Sequence, residues 1–203
     1  METGRKLKIA ITGTTSGIGY ATADLLASKY TVWCINRPEH DLLDDDALDR
    51  IDLHGYDVLI NNAGADYGRQ PFLEHDYKQW HQTVKINYIV PMYLTQKFMQ
   101  QNSAGTIINV SSTGNLKTAT NNSTVFYRGS KQALKHFTHE ANTINSKFRV
   151  VDVEPGKTDT NFTQNAGQGT NYTSISMNPM EVARAIETVI VTLNITHIRV
   201  KSS

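Results

Sequence analysis

The sequence predicts an α/β fold, a single-domain doubly wound parallel sheet. Two observations lead to this class. Short apolar runs alternate with helical patterns along the chain, and a glycine-rich turn joins the first run to the first helix. Such alternation is typical of parallel strands linked by crossover helices. The chain has 203 residues and neither an internal repeat nor a linker, so we expect one domain over residues 1–203.

Six apolar runs predict buried strands. They are residues 8–13, 31–36, 57–62, 105–111, 148–153 and about 196–201. A minimal further strand is predicted around residues 40–42, which makes 57–62 the fourth strand. The region between strands two and four is short and acidic, so it has room for little more than that strand and one helix at 43–51.

Helices are predicted at 17–28, 76–101, 125–146 and 179–193. Pro91 lies inside the second of these, and we expect a local distortion there because proline has no backbone N–H to donate. The polar stretch from Thr160 to Pro179 shows no clear period. Its length is typical of loops that act as lids.

The composition excludes several classes of protein. Twenty basic residues against nineteen acidic ones predict no binding to nucleic acid or to an acidic membrane surface. No apolar run approaches the roughly 20 residues of a membrane helix, and we expect a cytoplasmic protein without a signal peptide. The single Cys34 excludes an internal disulfide, and no Cys/His cluster suggests a metal site.

The glycine-rich turn, TGTTSGIG at residues 12–19, follows the first strand directly. Glycines let the backbone approach a pyrophosphate, whose charge the following helix N-terminus favours, so this position predicts nucleotide binding. The second strand ends at Asn36-Arg37 without the acid that accepts the ribose hydroxyls of NAD. An arginine there can hold the 2′-phosphate of NADP, or it is an ordinary surface residue.

Two further strands end in small or polar residues. Asn61-Asn62-Ala63-Gly64 suits close passage over a ligand, although a simple turn has the same composition. Ser111-Ser112 fits either a turn or a serine that hydrogen-bonds a substrate carbonyl. Neither serine lies in a G-x-S-x-G elbow, which argues against a serine hydrolase.

Tyr127 and Lys131 lie four residues apart in the sequence YRGSK and share a face of the predicted helix. An exposed pair would contribute only about 0.2–1 kcal/mol. The alternative is a catalytic acid, because a neighbouring ammonium lowers the pKa of a phenol from its ordinary value of about 10.

Six motifs in this order resemble the short-chain dehydrogenase/reductase family, in its short single-domain branch with a Rossmann-type fold. They are TGTTSGIG, NNAG, KIN with Asn87, NVSS, YRGSK, and Pro155-Gly156 with Thr160. The match covers most of the chain. It implies an oxidoreductase that transfers a hydride between a nicotinamide and a small-molecule carbonyl or alcohol, with NADP(H) preferred over NAD(H).

By this resemblance the catalytic residues are Asn87, Ser112, Tyr127 and Lys131. Tyr127 is the general acid that protonates the carbonyl oxygen, or the base in oxidation. Lys131 lowers the pKa of Tyr127 and hydrogen-bonds the nicotinamide ribose. Ser112, favoured over Ser111 by register, holds the substrate oxygen, and Asn87 supports a water-linked proton relay.

The resemblance also implies a set of cofactor-binding residues. Those of the glycine-rich turn cradle the pyrophosphate, Arg37 meets the adenosine phosphate, and residues 61–64 pass beside the adenosine ribose. The set is Gly13, Thr15, Ser16, Gly17, Ile18, Gly19, Asn36, Arg37, Asp41, Leu42, Asn62, Ala63, Gly64, Tyr127, Lys131, Pro155, Gly156, Thr158 and Thr160. Asp41-Leu42 packs near the adenine, and Pro155 to Thr160 flank the nicotinamide.

Two features depart from the family pattern. The region between strands two and four is short, and the C-terminal residues 198–203 lack the family's Asp-Gly-Gly ending. The long helices imply a homodimer, whereas this ending leaves a tetramer open. One alternative is a non-catalytic NADP(H)-binding sensor or regulatory protein, although both Tyr127 and Lys131 are present. An extended-branch epimerase or dehydratase would need a different glycine spacing and a substrate domain.

Overall fold

The apolar runs of the sequence form one parallel sheet in a computed structural model of the protein, which describes residues 5–68, 70–113, 124–160 and 176–201. The strands are β1 (Lys8–Thr12), β2 (Thr31–Ile35), β3 (Val58–Asn61), β4 (Gly105–Val110), β5 (Phe148–Pro155) and β6 (His197–Val200). Among the described residues these six line up in the order β2-β1-β3-β4-β5-β6. Every neighbouring pair is parallel.

Helices cover both faces of this sheet. They are α1 (Gly17–Ala27), α2 (Asp45–Asp49), α3 (Tyr77–Val84), α4 (Val90–Gln101), α5 (Val125–Ile144) and α6 (Pro179–Val191). Side chains alternate along each strand, so Ile9 and Ile11 of β1 pack with α1 and α6, around Leu26 and Ile186. Ala10 faces the opposite layer, which contains α4 and α5. The predicted doubly wound α/β class is therefore confirmed.

The segment between β2 and β3 is as short as predicted, but its details differ. No strand forms at residues 40–42, and the helix expected at 43–51 is reduced to α2. The carboxylate of Asp41 accepts a hydrogen bond from the N–H of Leu43 (3.0 Å), and that of Asp44 caps α2 by accepting from the N–H of Ala47 (3.1 Å). Such local bonds favour a turn over a strand. Within the described residues, β2 is therefore an edge of the sheet.

The helix predicted at 76–101 runs through α3 and α4, with a π-helical turn at Lys85–Ile89 between them. Pro91 comes directly after this turn. A proline there has no N–H for the carbonyl of Asn87, four residues earlier, so the helix departs locally from α geometry, as predicted. This places the π-helical turn around Asn87 itself.

The other helices end within two residues of their predicted bounds. The lid predicted between Thr160 and Pro179 falls largely outside the described residues, which exclude 161–175. None of the helices in the described part of the chain is long and apolar enough to cross a membrane.

Candidate active site

A cleft of about 930 Å³ opens at the carboxyl ends of the strands. In an open α/β sheet this edge is where ligands bind, because the loops after the parallel strands converge there. The walls come from the turn between β1 and α1, the residues after β2 and β3, the end of β4, the first turns of α5 and the loop after β5.

The glycine-rich turn forms one wall of the cleft by close backbone contact. A Cβ on Gly19 would lie 2.0 Å from the carbonyl oxygen of Gly13 and 2.4 Å from Nδ2 of Asn62. Gly13 itself has φ of +70°, the left-handed region that favours glycine. Because α1 begins immediately after Ser16, its first N–H groups meet the cleft, which suits an anion.

Asn36 fixes this turn from the neighbouring strand. Its Oδ1 accepts a hydrogen bond from the backbone N–H of Thr14 (2.8 Å), and its Nδ2 donates to the hydroxyl of the same residue (2.7 Å). Both polar ends of the Asn36 amide are therefore engaged with Thr14, although the residue also lines the cleft.

The outer end of the cleft carries charge and an aromatic ring. Arg37, Asp41 and Leu42, three residues of the predicted cofactor-binding set, line it, and so does Tyr67. Partial burial raises the pKa of Tyr67, whose residue is 38% exposed; the charge of Arg37 opposes that rise, and the charge of Asp41 adds to it. The arginine and the aspartate therefore act on the same phenol.

The NNAG segment binds the end of β1. Nδ2 of Asn62 donates to the carbonyl oxygens of Thr12 (3.0 Å) and Gly13 (2.8 Å), while Ala63 and Gly64 line the cleft. Asn61 does not line it. Its side chain is buried on the other side of the segment and donates to Oδ1 of Asn109 (2.8 Å).

Lys131 lies at the base of the cleft with its residue only 4% exposed. Its ammonium donates to the carbonyl oxygen of Val110, the last residue of β4, at 2.8 Å. Burial lowers the pKa of Lys131 to about 8, and the negative charge of Asp152 opposes that fall. A lysine with this pKa changes its charge close to neutral pH, which is typical of functional sites.

Tyr127 and Ser112 line the same cleft as Lys131 and are half-buried. Tyr127 is one turn earlier on α5, and Ser112 follows β4 by two residues. Ser111 is more deeply buried, and its backbone N–H continues the sheet by donating to the carbonyl oxygen of Val153 (2.9 Å). This difference in exposure supports the choice of Ser112 over Ser111.

Asn87, like Asn61, does not line the cleft, and it is 0% exposed. Its Nδ2 donates to the carbonyl oxygens of Ala65 (2.5 Å) and Thr83 (2.8 Å). Its Oδ1 has no hydrogen-bond partner among the described residues. A Cβ on Gly64 would lie 2.7 Å from this oxygen and 3.3 Å from Nζ of Lys131, so Asn87 and Lys131 flank one point behind the glycine.

The loop after β5 closes the cleft from the opposite side. Pro155, Gly156, Thr158 and Thr160 all line it. The hydroxyl of Thr158 donates to the carbonyl oxygen of Gly156 (3.0 Å). A Cβ on Gly17 would lie 2.9 Å from Cγ2 of Thr160, so this loop packs against the glycine-rich turn across the cleft.

The cleft has further lining residues that are not in the predicted catalytic or cofactor-binding sets. They are Ile35, His40, Leu43, Ala65, Asp66, Tyr67, Ile86, Val110, Ser111, Thr113 and Lys157. All of them lie within a few positions of a predicted site residue. Extending each motif by two or three residues would have included them. Their own residue types gave no signal that they line a cleft.

Comparison with known proteins identifies the family. The family model for short chain dehydrogenases matches residues 45–171, which is more than half of the chain. This protein belongs to the short-chain dehydrogenase family. The match includes the NNAG, Ser112 and YRGSK segments.

Curated relatives are similar over part of their length. Short chain dehydrogenase helC of Aspergillus fumigatus is 32% identical over 139 residues, which cover 65% of this chain and 52% of the relative. A probable NADP-dependent dehydrogenase of Haemophilus influenzae is 33% identical over 106 residues, covering 49% of this chain and 41% of the relative. The chain thus spans about half the length, or less, of these relatives.

Solved structures share the fold at low identity. A short chain dehydrogenase from Burkholderia cenocepacia in complex with NADP has a TM-score of 0.82 at 22% identity, covering 98% of this chain and 89% of that one. A short-chain dehydrogenase/reductase of unknown function from Caenorhabditis elegans, solved with cofactor, has a TM-score of 0.82 at 22% identity, covering 96% and 93%.

The contact between the glycine-rich turn and Asn62 predicts a large effect of Gly19→Ala. The new methyl group has no room beside the carbonyl of Gly13, so we expect the free energy of unfolding to fall by about 1–3 kcal/mol. Gly129→Ala is the matched control, because a Cβ there meets nothing within 4 Å in α5; it should raise that free energy by about 0.5–1 kcal/mol. Urea denaturation of both variants measures this, and equal effects would contradict the close packing.

The low pKa of Lys131 predicts a pH-dependent cost in stability. Between pH 8 and the ordinary value of 10.5, the unfolded chain binds more protons at this residue than the folded protein. Its contribution to the free energy of unfolding therefore rises with pH in that window. Below pH 8 the full cost of the buried charge is present.

Relative to Lys131→Met, the wild-type free energy of unfolding should increase by roughly 2 kcal/mol from pH 7 to pH 10. Denaturation at both pH values measures the difference. Lys78→Met removes an exposed lysine and should show no such change. A pH-independent difference for Lys131→Met would mean that the ammonium is not buried as described.

Proposed function

We propose that the protein is an NADP(H)-dependent oxidoreductase that transfers a hydride between the nicotinamide and a carbonyl or alcohol substrate. The observation that carries the proposal is one cleft holding Tyr127, Lys131 and Ser112 together with the N-terminus of α1. The first three groups can hold and protonate an oxygen, and the helix N-terminus can hold a phosphate.

The residues of the cleft fit a dinucleotide. Its volume of about 930 Å³ lies near the upper end of the range for small-molecule and cofactor sites. The glycines at positions 13, 17 and 19 leave the backbone of the turn bare, and a side chain at any of them would meet its surroundings at 2.9 Å or less. In this proposal Thr15 to Gly19 bind the pyrophosphate.

Two features at the outer end of the cleft support the proposed preference for NADP(H). Arg37 is an exposed cation there, suited to a 2′-phosphate. The position after β2 holds Asn36, whose amide is engaged with Thr14, so no carboxylate at that position competes for a ribose hydroxyl. Similarity to a relative named as a probable NADP-dependent dehydrogenase supports this choice.

The chemistry assigns a separate task to each side chain. When bound, the nicotinamide supplies or accepts the hydride. Ser112 donates a hydrogen bond to the substrate oxygen, and Tyr127 gives that oxygen its proton in reduction or removes it in oxidation. The positive charge of Lys131 favours the phenolate form of Tyr127, and the same ammonium binds the nicotinamide ribose.

Asn87 would act from behind the cleft. Its unpartnered Oδ1 and the ammonium of Lys131 flank one point next to Gly64, and buried polar groups of this kind commonly hold a water molecule. A water there would pass protons towards Lys131. Pro155, Gly156, Thr158 and Thr160 would flank the nicotinamide on the opposite wall and exclude solvent.

Tyr127→Phe tests the acid/base role. We expect NADPH affinity, measured by fluorescence titration, to stay within about twofold, while kcat for carbonyl reduction falls by about a hundredfold or more, because the proton donor is lost. Tyr77→Phe, on the exposed face of α3, is the control and should retain full turnover.

A screen of carbonyl compounds, followed by NADPH absorbance, must first supply the substrate for this test. Unchanged turnover in Tyr127→Phe would exclude the mechanism. NADPH binding without turnover on any compound would favour a cofactor-binding sensor instead.

The homodimer and the cytoplasmic location stay predictions.

Arg37→Ala tests the cofactor preference. Loss of a charge-assisted hydrogen bond to a phosphate should raise KM for NADPH by about tenfold or more, while KM for NADH changes by less than about twofold. The control Arg50→Ala removes an exposed arginine outside the cleft and should change neither constant. Equal losses for NADPH and NADH, or a wild-type preference for NADH, would refute the role of Arg37.

A further inference from the structure

A row of polar side chains crosses the sheet beneath α4 and α5. Asn61, Asn109, Asp152 and His197 are successive register partners on β3, β4, β5 and β6. Partners in neighbouring parallel strands project to the same face of the sheet. Asn61 meets α4 through the hydroxyl of Thr95 (3.3 Å), and Asn109 meets α5 through that of Thr138 (2.8 Å), so this face lies under the two helices.

Asp152 is a buried carboxylate in this row whose two oxygens lack hydrogen-bond partners of good geometry among the described residues. It is 4% exposed, although the Ser111 hydroxyl lies close enough to lower the pKa of Asp152. The adjacent Ser111 hydroxyl donates to the carbonyl of Val153 (3.4 Å), and Nε2 of His197 lies 3.7 Å from Oδ2 of Asp152. A carboxylate left in this state is costly unless a charge partner compensates for its burial.

Glu154, two residues further on the same strand face, is in the opposite situation. Its Oε1 accepts from the ammonium of Lys135 (2.5 Å), and its Oε2 accepts from Arg199 (2.5 Å). Burial would raise its pKa, but these bonds and one with His197 hold it at about 2. Lys135 and Arg199 are therefore engaged with Glu154 rather than with Asp152.

A metal ion is a poor explanation for the same carboxylates. Asp152, Glu154 and His197 do present possible ligand atoms within 4.8 Å of one another. However, both oxygens of Glu154 are held by cations, and a further positive charge beside Lys135 and Arg199 would be repelled.

Among the described residues, Lys131 is a fully buried cation on α5, one turn before Lys135. Its ammonium binds the carbonyl of Val110, which is next in β4 after Asn109, the register partner of Asp152. The negative charge of Asp152 raises the pKa of Lys131 against the effect of burial.

We propose that Asp152 is a positioning residue for the proposed reaction, whose buried carboxylate is the counter-charge of the Lys131 ammonium, with His197 as its partner on the solvent side. This inference rests on the proposed function for its catalytic consequence. The carboxylate keeps Lys131 cationic up to a higher pH than burial alone would permit, and so keeps the phenol of Tyr127 beside a positive charge.

The groups that face Asp152 come from each element packed against it. They are Lys131 and Lys135 from α5, Ser111 at the end of β4, Glu154 from β5 itself, and His197 and Arg199 from β6. Burial raises the pKa of Asp152; the hydroxyl of Ser111, His197 and Lys135 oppose that rise, whereas Glu154 adds to it. His197 has a side chain that is 44% exposed, and its Nε2 lies 3.7 Å from Oδ2 of Asp152, so it links this carboxylate to solvent.

Asp152→Asn tests the proposal, because it removes the charge and keeps the shape. We expect the pKa of Lys131 to fall by about one unit, measured by NMR titration of ¹³C-labelled lysine side chains and assigned with Lys131→Met. The alkaline limb of the kcat profile with NADPH should move by the same amount. At pH 8 this corresponds to roughly fivefold less of the cationic form.

Glu154→Gln is the matched control, since it removes an equal charge two residues away on the same strand. It should leave the titration of Lys131 within about 0.3 units. Asp152→Ser, a smaller neutral side chain, is the second variant in case the amide does not fold, and it should reproduce the shift.

An unchanged Lys131 titration in either folded Asp152 variant, or an equal shift in Glu154→Gln, would overturn the proposal. The titration needs no turnover, so its outcome is separable from the proposed function. A shifted titration in a protein without reductase activity would support the charge pair and refute only the reaction assigned to it.

Discussion

A buried ammonium determines the geometry of the deeper end of the cleft. Nζ of Lys131 is removed from water, and a buried charged group needs acceptors within hydrogen-bond distance. The carbonyl oxygen of Val110 is one such acceptor, and the bond ties α5 to the carboxyl end of β4. Tyr127 lies one turn earlier on that helix, and Ser112 lies two residues beyond that carbonyl. Their shared position at the cleft therefore follows from where the ammonium is held.

The other wall depends on backbone contact rather than on charge. Asn62 donates to the carbonyl oxygens of Thr12 and Gly13, while Gly19 brings α1 against the same turn. Asn36 engages Thr14 from the other side. The turn is thus held by β2, β3 and α1 together before any ligand binds, which lowers the entropic cost of ordering it around a phosphate.

Much of the fold was predictable because it depends on local pattern. The strands and the long helices follow from apolar runs and helical periodicity, and the motifs lie at strand ends, where a parallel sheet collects them. The strand expected at residues 40–42 was wrong, since Asp41 and Asp44 use their carboxylates in local turns and caps. These local hydrogen bonds compete with strand formation, and they depend on side-chain geometry that the pattern of apolar residues does not encode.

Site residues that belong to a sequence motif could be predicted from the sequence. Residues whose role depends on strand register and helix packing could not. Asn87 is recognisable by its resemblance to the family motif, but its burial behind Gly64 depends on tertiary packing that the motif does not reveal. Asp152 and Glu154 look in sequence like alternate polar residues of a half-exposed strand. Only the pairing of β5 with β6, and the packing of α5 above them, shows that both are buried and differently partnered.

The contrast between these two carboxylates bears on why a strand would bury both. Glu154 is surrounded by donors that hold its charge in place, so its burial is compensated locally. Asp152 has no such set, and local compensation does not account for a carboxylate under α5. The low dielectric of the interior makes a single buried charge costly, but it also strengthens the attraction between two opposite buried charges. A second buried charge can therefore offset the cost of the first without a direct hydrogen bond. In the proposed arrangement the charge of Asp152 would reduce the cost of burying the Lys131 ammonium, and the register of β5 against β4 would set where that charge lies.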